Sequence, residues 1–169
     1  MKKLAYIFIL LTSLSLFDSC KVKYSLNGAT VPIEAKTVSV GFFTNNTTLG
    51  SPIISQKFTE KLRDMVSTQT NLSLMKQNGD LKFEGTIVDY NIAPVAIQSN
   101  DQAAKNRLTV TVNVKYSNKF DEPKNFDQNF TRFADYPTTS SLSSQEDRLL
   151  TEINRQLTED IFNKAFNNW

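Results

Sequence analysis

Residues 108–116 read L-T-V-T-V-N-V-K-Y, and this stretch decides what kind of fold the chain makes. Leu108, Val110, Val112, Val114 and Tyr116 alternate with Thr109, Thr111, Asn113 and Lys115. A strict period of two, rich in β-branched side chains, predicts a strand with one buried face and one polar face. Upstream, residues 81–90 alternate in the same way, with Leu81, Phe83, Gly85 and Ile87 set against Glu84, Thr86, Val88 and Tyr90. Gly85 in mid-strand predicts a bulge or a close backbone neighbour. Residues 91–106 break the period, carry Pro94 and are expected to form a long excursion between two strands. Downstream, Asp121 and Pro123 turn the chain. Phe126, Phe130, Phe133 and Tyr136 then mark a third long strand, with a bulge predicted where the period slips between Phe130 and Phe133.

Two helices flank these strands in sequence. Ser51-Pro52 supplies an N-cap and a first-turn proline, and Ile54, Phe58, Leu62, Met65 and Val66 form one apolar stripe behind it. Ser143 and Glu146 have capping-box spacing, and Leu150, Ile153, Leu157, Ile161 and Ala165 follow on one face. Phe162, Phe166 and Trp169 widen that stripe beyond what one core face needs, so this cluster is a candidate to pack on a partner or on the N-terminal tether. A shorter strand is expected at 36–43, with Val38, Val40 and Phe42 inward, and another at 72–76, stopped by an Asn78-Gly79 turn. Two singly striped helices can cover only one face of a sheet. The expected fold is α+β, a two-layer sandwich with two helices on one face of a mostly antiparallel four- to five-stranded sheet. The other sheet face is either solvated or pressed on a partner.

The N-terminus carries a different message. Lys2 and Lys3 precede an apolar run from Leu4 to Leu16, and Phe17-Asp18-Ser19 lead to Cys20, the chain's one cysteine. A charged start and a short apolar core describe a secretory signal, and the run is shorter than the ~20 residues a spanning helix needs. A cysteine at that point suggests lipid attachment after cleavage, and an exported chain with one cysteine has no disulfide partner for it. Phe17 and Asp18 depart from the usual residues of such a site, and a plain signal peptide with a free thiol is the other reading. The expected organisation is a signal at 1–19, a lipidated tether at 20–35 and a single domain at 36–169. Two acyl chains would make the anchoring stable. No acidic cluster follows Cys20, which favours a domain facing the periplasm.

Composition removes most chemistry. The net charge is +2, and +1 without Lys2, Lys3 and Asp18, so nothing pulls the chain towards nucleic acid. There is no histidine, which excludes Ser-His-Asp and Cys-His machinery and any histidine metal site, and no cofactor is expected. A carboxylate hydrolase using Glu84 and Asp89 is the remaining enzymatic reading, weakened because an odd separation puts the two on opposite faces of a regular strand.

Several blocks carry a family likeness. They are C-K-V-K-Y-S-L-N-G-A from Cys20, T-V-S-V-G-F-F at 37–43, F-T-E-K-L-R-D at 58–64 and G-D-L-K-F-E-G at 79–85. N-R-L-T-V at 106–110, F-T-R-F-A-D-Y at 130–136 and Q-L-T-E-D-I-F-N-K-A-F at 156–166 continue it. Together they resemble the LptE family of lipopolysaccharide-assembly lipoproteins, in the form found in Bacteroidetes. The resemblance implies a non-enzymatic outer-membrane component that sits in the lumen of an LptD β-barrel, assists its assembly and contacts lipopolysaccharide. A pilot lipoprotein for another outer-membrane channel would share the anchor and the size. Lipopolysaccharide phosphates ask for Lys or Arg on a rigid element. Lys105, Arg107, Lys115 and Arg132 are the candidates, against the plainer reading that each is an ordinary solvated charge.

Overall fold

The computed structural model describes residues 31–95 and 104–167. The signal segment, Cys20, the tether up to residue 30 and Trp169 lie outside them. The element order is β1 (Thr37–Val40), β2 (Thr44–Asn45), α1 (Ile53–Gln69), β3 (Ser73–Met75), β4 (Leu81–Val95), β5 (Lys105–Asn118), β6 (Phe126–Pro137) and α2 (Leu142–Phe166). The sheet runs β3-β1-β4-β5-β6, with β2 beside β4. Both helices pack on one face, as two apolar stripes require. Ile54, Phe58, Leu62 and Val66 of α1 and Leu150, Ile153, Leu157 and Ile161 of α2 are buried against Val38, Val40, Phe83, Ile87 and the inward row of β5.

The architecture is the expected α+β sandwich, and its sheet is wider and more mixed. β4, β5 and β6 pair antiparallel, whereas β1 is parallel to both β3 and β4, and β2 is parallel to β4. Because β3 and β4 flank β1 in the same direction, residues 76–80 must pass over β1. Parallel neighbours ordinarily need a dozen or more residues of crossover. Here Gly79 makes the short path possible: a Cβ at this position would sit 2.5 Å from the Ser39 nitrogen. The Gly79 N–H donates to Ser39 Oγ at 3.2 Å. Asp80 then closes the crossover, accepting from the Lys36 and Thr37 backbone N–H groups and from Thr37 Oγ1. Those donors, the Lys36 N–H first, hold the Asp80 carboxyl below its ordinary pKa. The Asn78-Gly79 turn is therefore a crossover and not the end of a hairpin.

Four local expectations are corrected. The excursion at 91–106 is mostly strand, since β4 and β5 stay paired out to Val95 opposite Lys105. Pro94 is tolerated because, among the described residues, β4 has no partner on its other side there. The bulge in β4 falls between Ile87 and Asp89, so Tyr90 turns inward and is buried. Gly85 instead has the close neighbours, with its virtual Cβ 2.0 Å from the Asn113 carbonyl oxygen and 2.6 Å from the Phe43 ring. No bulge interrupts β6, whose register with β5 is continuous from Phe126 to Pro137. Ala134 and Tyr136 continue the inward row there, and Phe133 faces out, 46% exposed. At the other end of the sheet, β1 stops at Val40 opposite Phe83 and pairing with β4 resumes at Thr44 opposite Thr86, so this edge takes up one residue more than β4. Phe42 is therefore left 58% exposed, and Phe43 packs edge-on against Phe58.

Helix ends follow the same pattern of near agreement. α2 is capped by Ser141, whose Oγ accepts from the Ser144 N–H, two residues before the expected cap. Glu146 is thereby released from capping and accepts from the Tyr90 hydroxyl at 2.8 Å. The Phe162 and Phe166 cluster is core: both are buried, and Phe166 lies 6.0 Å from the Phe83 ring and 6.3 Å from Tyr116.

Candidate functional site

Two surfaces stand apart from the core. The first is the sheet face away from the helices, built by the residues that alternate with the buried rows of β4, β5 and β6. Thr111 and Thr131 hydroxyls meet at 2.9 Å, and the Asn113 side-chain amide donates to Asp127 and Asn129, each at 3.0 Å. Thr111 with Thr131 and Asn113 with Asn129 are register partners, and Asp127 is the diagonal neighbour of Asn113, so the face is a laced polar ladder. At its far end Arg107 binds both carboxylate oxygens of Asp135, at 2.7 and 3.0 Å, and lies over the exposed Phe133 ring at 3.6 Å. The Arg107 guanidinium holds the Asp135 carboxyl below its ordinary pKa, with Lys105 contributing in the same direction.

The second surface is a groove of about 470 Å³ at the C-terminal end of β1. Phe42, Arg63, Lys76, Asn78, Lys82 and Glu84 line it. Arg63 of α1 reaches over the end of β1 and donates to the Val40 carbonyl from Nε at 3.2 Å and Nη2 at 2.8 Å. Lys82 stands 3.9 Å from Glu84, and Lys76 follows β3 directly.

The four basic residues singled out from sequence do not form one site. Lys105 and Arg107 share the far end of the polar sheet face with Asp135. Lys115 is on the same face, eight residues along β5, which at ~3.4 Å per residue is about 27 Å from Arg107. Arg132 is on the opposite face, where it reaches α2 and binds Asp160 through Nε at 2.5 Å and Nη2 at 2.7 Å. Its pairing row is an inward one, continuous with Phe130 and Ala134. Glu84 and Asp89 do share a face, because the bulge at Val88 restores their phase. They pair with Lys115 and Thr111, however, and four residues of β5 hold them about 14 Å apart. That is too far for two carboxylates to act on one bond. The groove was missed in sequence because its cations come from α1, the crossover and β4, and only the parallel β3-β1-β4 arrangement brings them together.

Among the described residues, no helix is long and apolar enough to cross a membrane. Comparison with curated protein sequences finds no match. Among solved structures, the chain is similar to an uncharacterized lipoprotein B from Nitrosomonas europaea, with 12% identity and a TM-score of 0.51 over 83% of this chain and 86% of that one. It is also similar to a minor lipoprotein from Acinetobacter baumannii, with 13% identity and a TM-score of 0.47 over 79% and 97% of the two chains. A third is rare lipoprotein B from Shewanella oneidensis, with 8% identity and a TM-score of 0.44 over 76% and 90%. At such identities the Nitrosomonas structure speaks for the fold alone. The family model for LptE, described as lipopolysaccharide-assembly, matches residues 35–165, which span both helices and the whole sheet. The chain, a non-enzymatic lipopolysaccharide-assembly protein, belongs to the LptE family.

Proposed function

We propose that this protein is anchored to the outer membrane through lipid on Cys20, after removal of residues 1–19. In this reading its domain sits in the lumen of an LptD-like β-barrel, assists that barrel's assembly and contacts lipopolysaccharide on its way to the outer leaflet. The polar sheet face carries the proposal. Barrel walls present polar residues to their lumen, and a partner surface of that kind is matched by a face of Thr, Asn and Asp side chains held in register. The Thr111–Thr131 and Asn113–Asn129 contacts pre-order this face, so docking costs it little side-chain entropy.

Mild detergent extraction of a tagged full-length chain tests the reading. The expected result is recovery of a large outer-membrane barrel protein in defined ratio, with reduced recovery from a Cys20→Ser variant. Recovery of an isolated monomer from wild-type membranes would contradict it, and the identity of a recovered barrel distinguishes an LptD-like partner from another channel.

A further inference from the structure

Among the described residues, β6 pairs with β5 alone, so its other side is an open sheet edge. The Thr138 N–H donates to the Ala104 carbonyl at 3.1 Å, and this pair continues the β5–β6 register. Bonded and non-bonded partners alternate along an antiparallel pair. The even-numbered residues of β6 therefore exchange bonds with β5, and the odd-numbered ones direct their N–H and C=O groups to the open edge. Asp127, Asn129, Thr131 and Phe133 are exposed, as an uncovered edge requires. Chains ordinarily blunt such an edge with short strands, proline, lysine or a bulge. The other edges obey this: β3 has three residues, and the open part of β4 carries Pro94 and the bulge between Ile87 and Asp89. β6 has twelve residues, no bulge, no lysine and no proline before Pro137. Its charged side chains are all turned aside, Asp127 and Asp135 to Asn113 and Arg107 on the sheet face, and Arg132 to Asp160 of α2.

We propose that residues 21–27 of the same chain dock on this edge as a further antiparallel strand. The segment reads K-V-K-Y-S-L-N and alternates polar with apolar, the pattern of a strand with one buried face. The route to β1 fixes the direction. β1 begins at the end of the sheet where β6 also begins, since Val38 pairs with Leu81, Leu81 with Asn118 and Tyr116 with Phe126. A segment leading from the edge to β1 therefore runs against β6. The sheet order puts β6 three strands from β1, about 14 Å at ~4.8 Å each. Asn27 to Pro32 reaches up to about 17 Å, and a turn closed by the Ala35 N–H on the Pro32 carbonyl then leads into β1. One register continues the rows that the sheet face already carries. With Ser25 opposite Thr131, the rows become Arg107–Asp135–Lys21, Thr111–Thr131–Ser25 and Asn113–Asn129–Asn27. Charge sign alternates along the first, hydroxyls meet along the second and amides along the third. On the helix side the same register sets Leu26 beside Phe130 and Val22 beside Ala134, both buried.

Hydrogen–deuterium exchange tests this on the full-length protein, expressed with its own signal and purified in mild detergent. The N–H groups of Asn129, Thr131 and Phe133 should exchange at least about tenfold more slowly in wild type than in a Ser25→Pro variant, which lacks the N–H that bonds to Thr131. Ser25→Ala keeps that N–H and should keep the protection. A Ser25→Cys/Thr131→Cys variant should form a disulfide within one chain on mild oxidation, because bonded antiparallel partners stand about 5.5 Å apart between Cα atoms. Thr131→Cys alone controls for Cys20, and Ser25→Cys/Ser73→Cys, aimed at the β3 edge, should form no bridge. Equal exchange in wild type and Ser25→Pro, or no bridge from Ser25→Cys/Thr131→Cys, overturns the docking. A bridge found only between two chains overturns it as well and identifies a second copy as the occupant. Both readouts are taken without a barrel partner, so their failure is separable from a failure of barrel recovery.

Discussion

Gly85 is the position where one added carbon does most damage. It lies in the middle of β4, opposite Val114 of β5, with Phe43 beneath it. An alanine Cβ would sit 2.0 Å from the Asn113 carbonyl oxygen and 2.6 Å from the Phe43 ring, against 3.4 Å or more for ordinary contact. The shortfall against the carbonyl is about 1.4 Å, and a backbone oxygen in a central strand pair cannot rotate away. Overpacking that flexible neighbours can absorb costs about 1–3 kcal/mol. Gly85→Ala should therefore exceed about 3 kcal/mol, a large part of the 5–15 kcal/mol that holds a typical domain. With a urea slope of about 1.5–3 kcal/mol/M, that is a fall in midpoint of roughly 1–2 M. Gly41→Ala is the control: its Cβ would meet its nearest atom, the Phe83 carbonyl oxygen, at 3.5 Å, and the change should be neutral or stabilising by up to about 1 kcal/mol. Phe43→Leu in the Gly85→Ala background should restore little, because the carbonyl clash remains. Urea melts of the four mature chains decide the matter. A loss below about 1 kcal/mol for Gly85→Ala, or full rescue by Phe43→Leu, would refute the reasoning.

Other perturbations have equally definite outcomes. Phe166→Ala removes a ring packed on Phe83, Tyr116 and Phe162, and should cost about 3–5 kcal/mol in a denaturant melt; a partner-facing side chain would cost far less. Tyr90→Phe should cost about 1 kcal/mol, because it removes only the bond to Glu146, whose carboxylate stays partly solvated. Acid unfolding should report Asp80 and Asp135, whose pKa values are lowered in the fold. The unfolded chain binds more protons in this range. Their contribution is thus fully present above the unfolded value of about 3.9 and is lost as pH falls through the lowered folded values. An Asp80→Asn variant should show a shallower pH dependence of stability between about pH 5 and 2 than wild type; an unchanged slope would count against the assignment.

What the sequence disclosed was whatever depends on local periodicity. The inward row of β5, the stripes of α1 and α2, and their placement on one sheet face follow from spacing, because burial of one face imposes it residue by residue. What it hid depends on contacts between distant segments. Val88 is an ordinary strand residue, and nothing near it announces that the bulge falls there and turns Tyr90 towards Glu146. Asn78-Gly79 has hairpin chemistry, yet Gly79 is needed for its close passage over Ser39, which is meaningful only once β3 and β4 flank β1. Arg132 was singled out for a predicted bulge; with the register continuous, it points to the helix layer and pairs with Asp160. The LptE resemblance was legible because it lies in the order of the blocks, and the family match at 35–165 covers five of the seven segments that suggested it and all but the last residue of a sixth.

The central claim is that the polar sheet face, not the helix layer, meets a barrel wall. Site-specific photo-crosslinking in intact cells tests this most directly, with a benzophenone side chain placed at Thr111 or Asn129 on the sheet face and at Arg148 or Glu152 on the exposed side of α2. The account predicts a covalent adduct with a large outer-membrane barrel protein from Thr111 and Asn129, and a much weaker one from α2. Adducts from Arg148 and Glu152 alone, or no barrel adduct from any position, would contradict it.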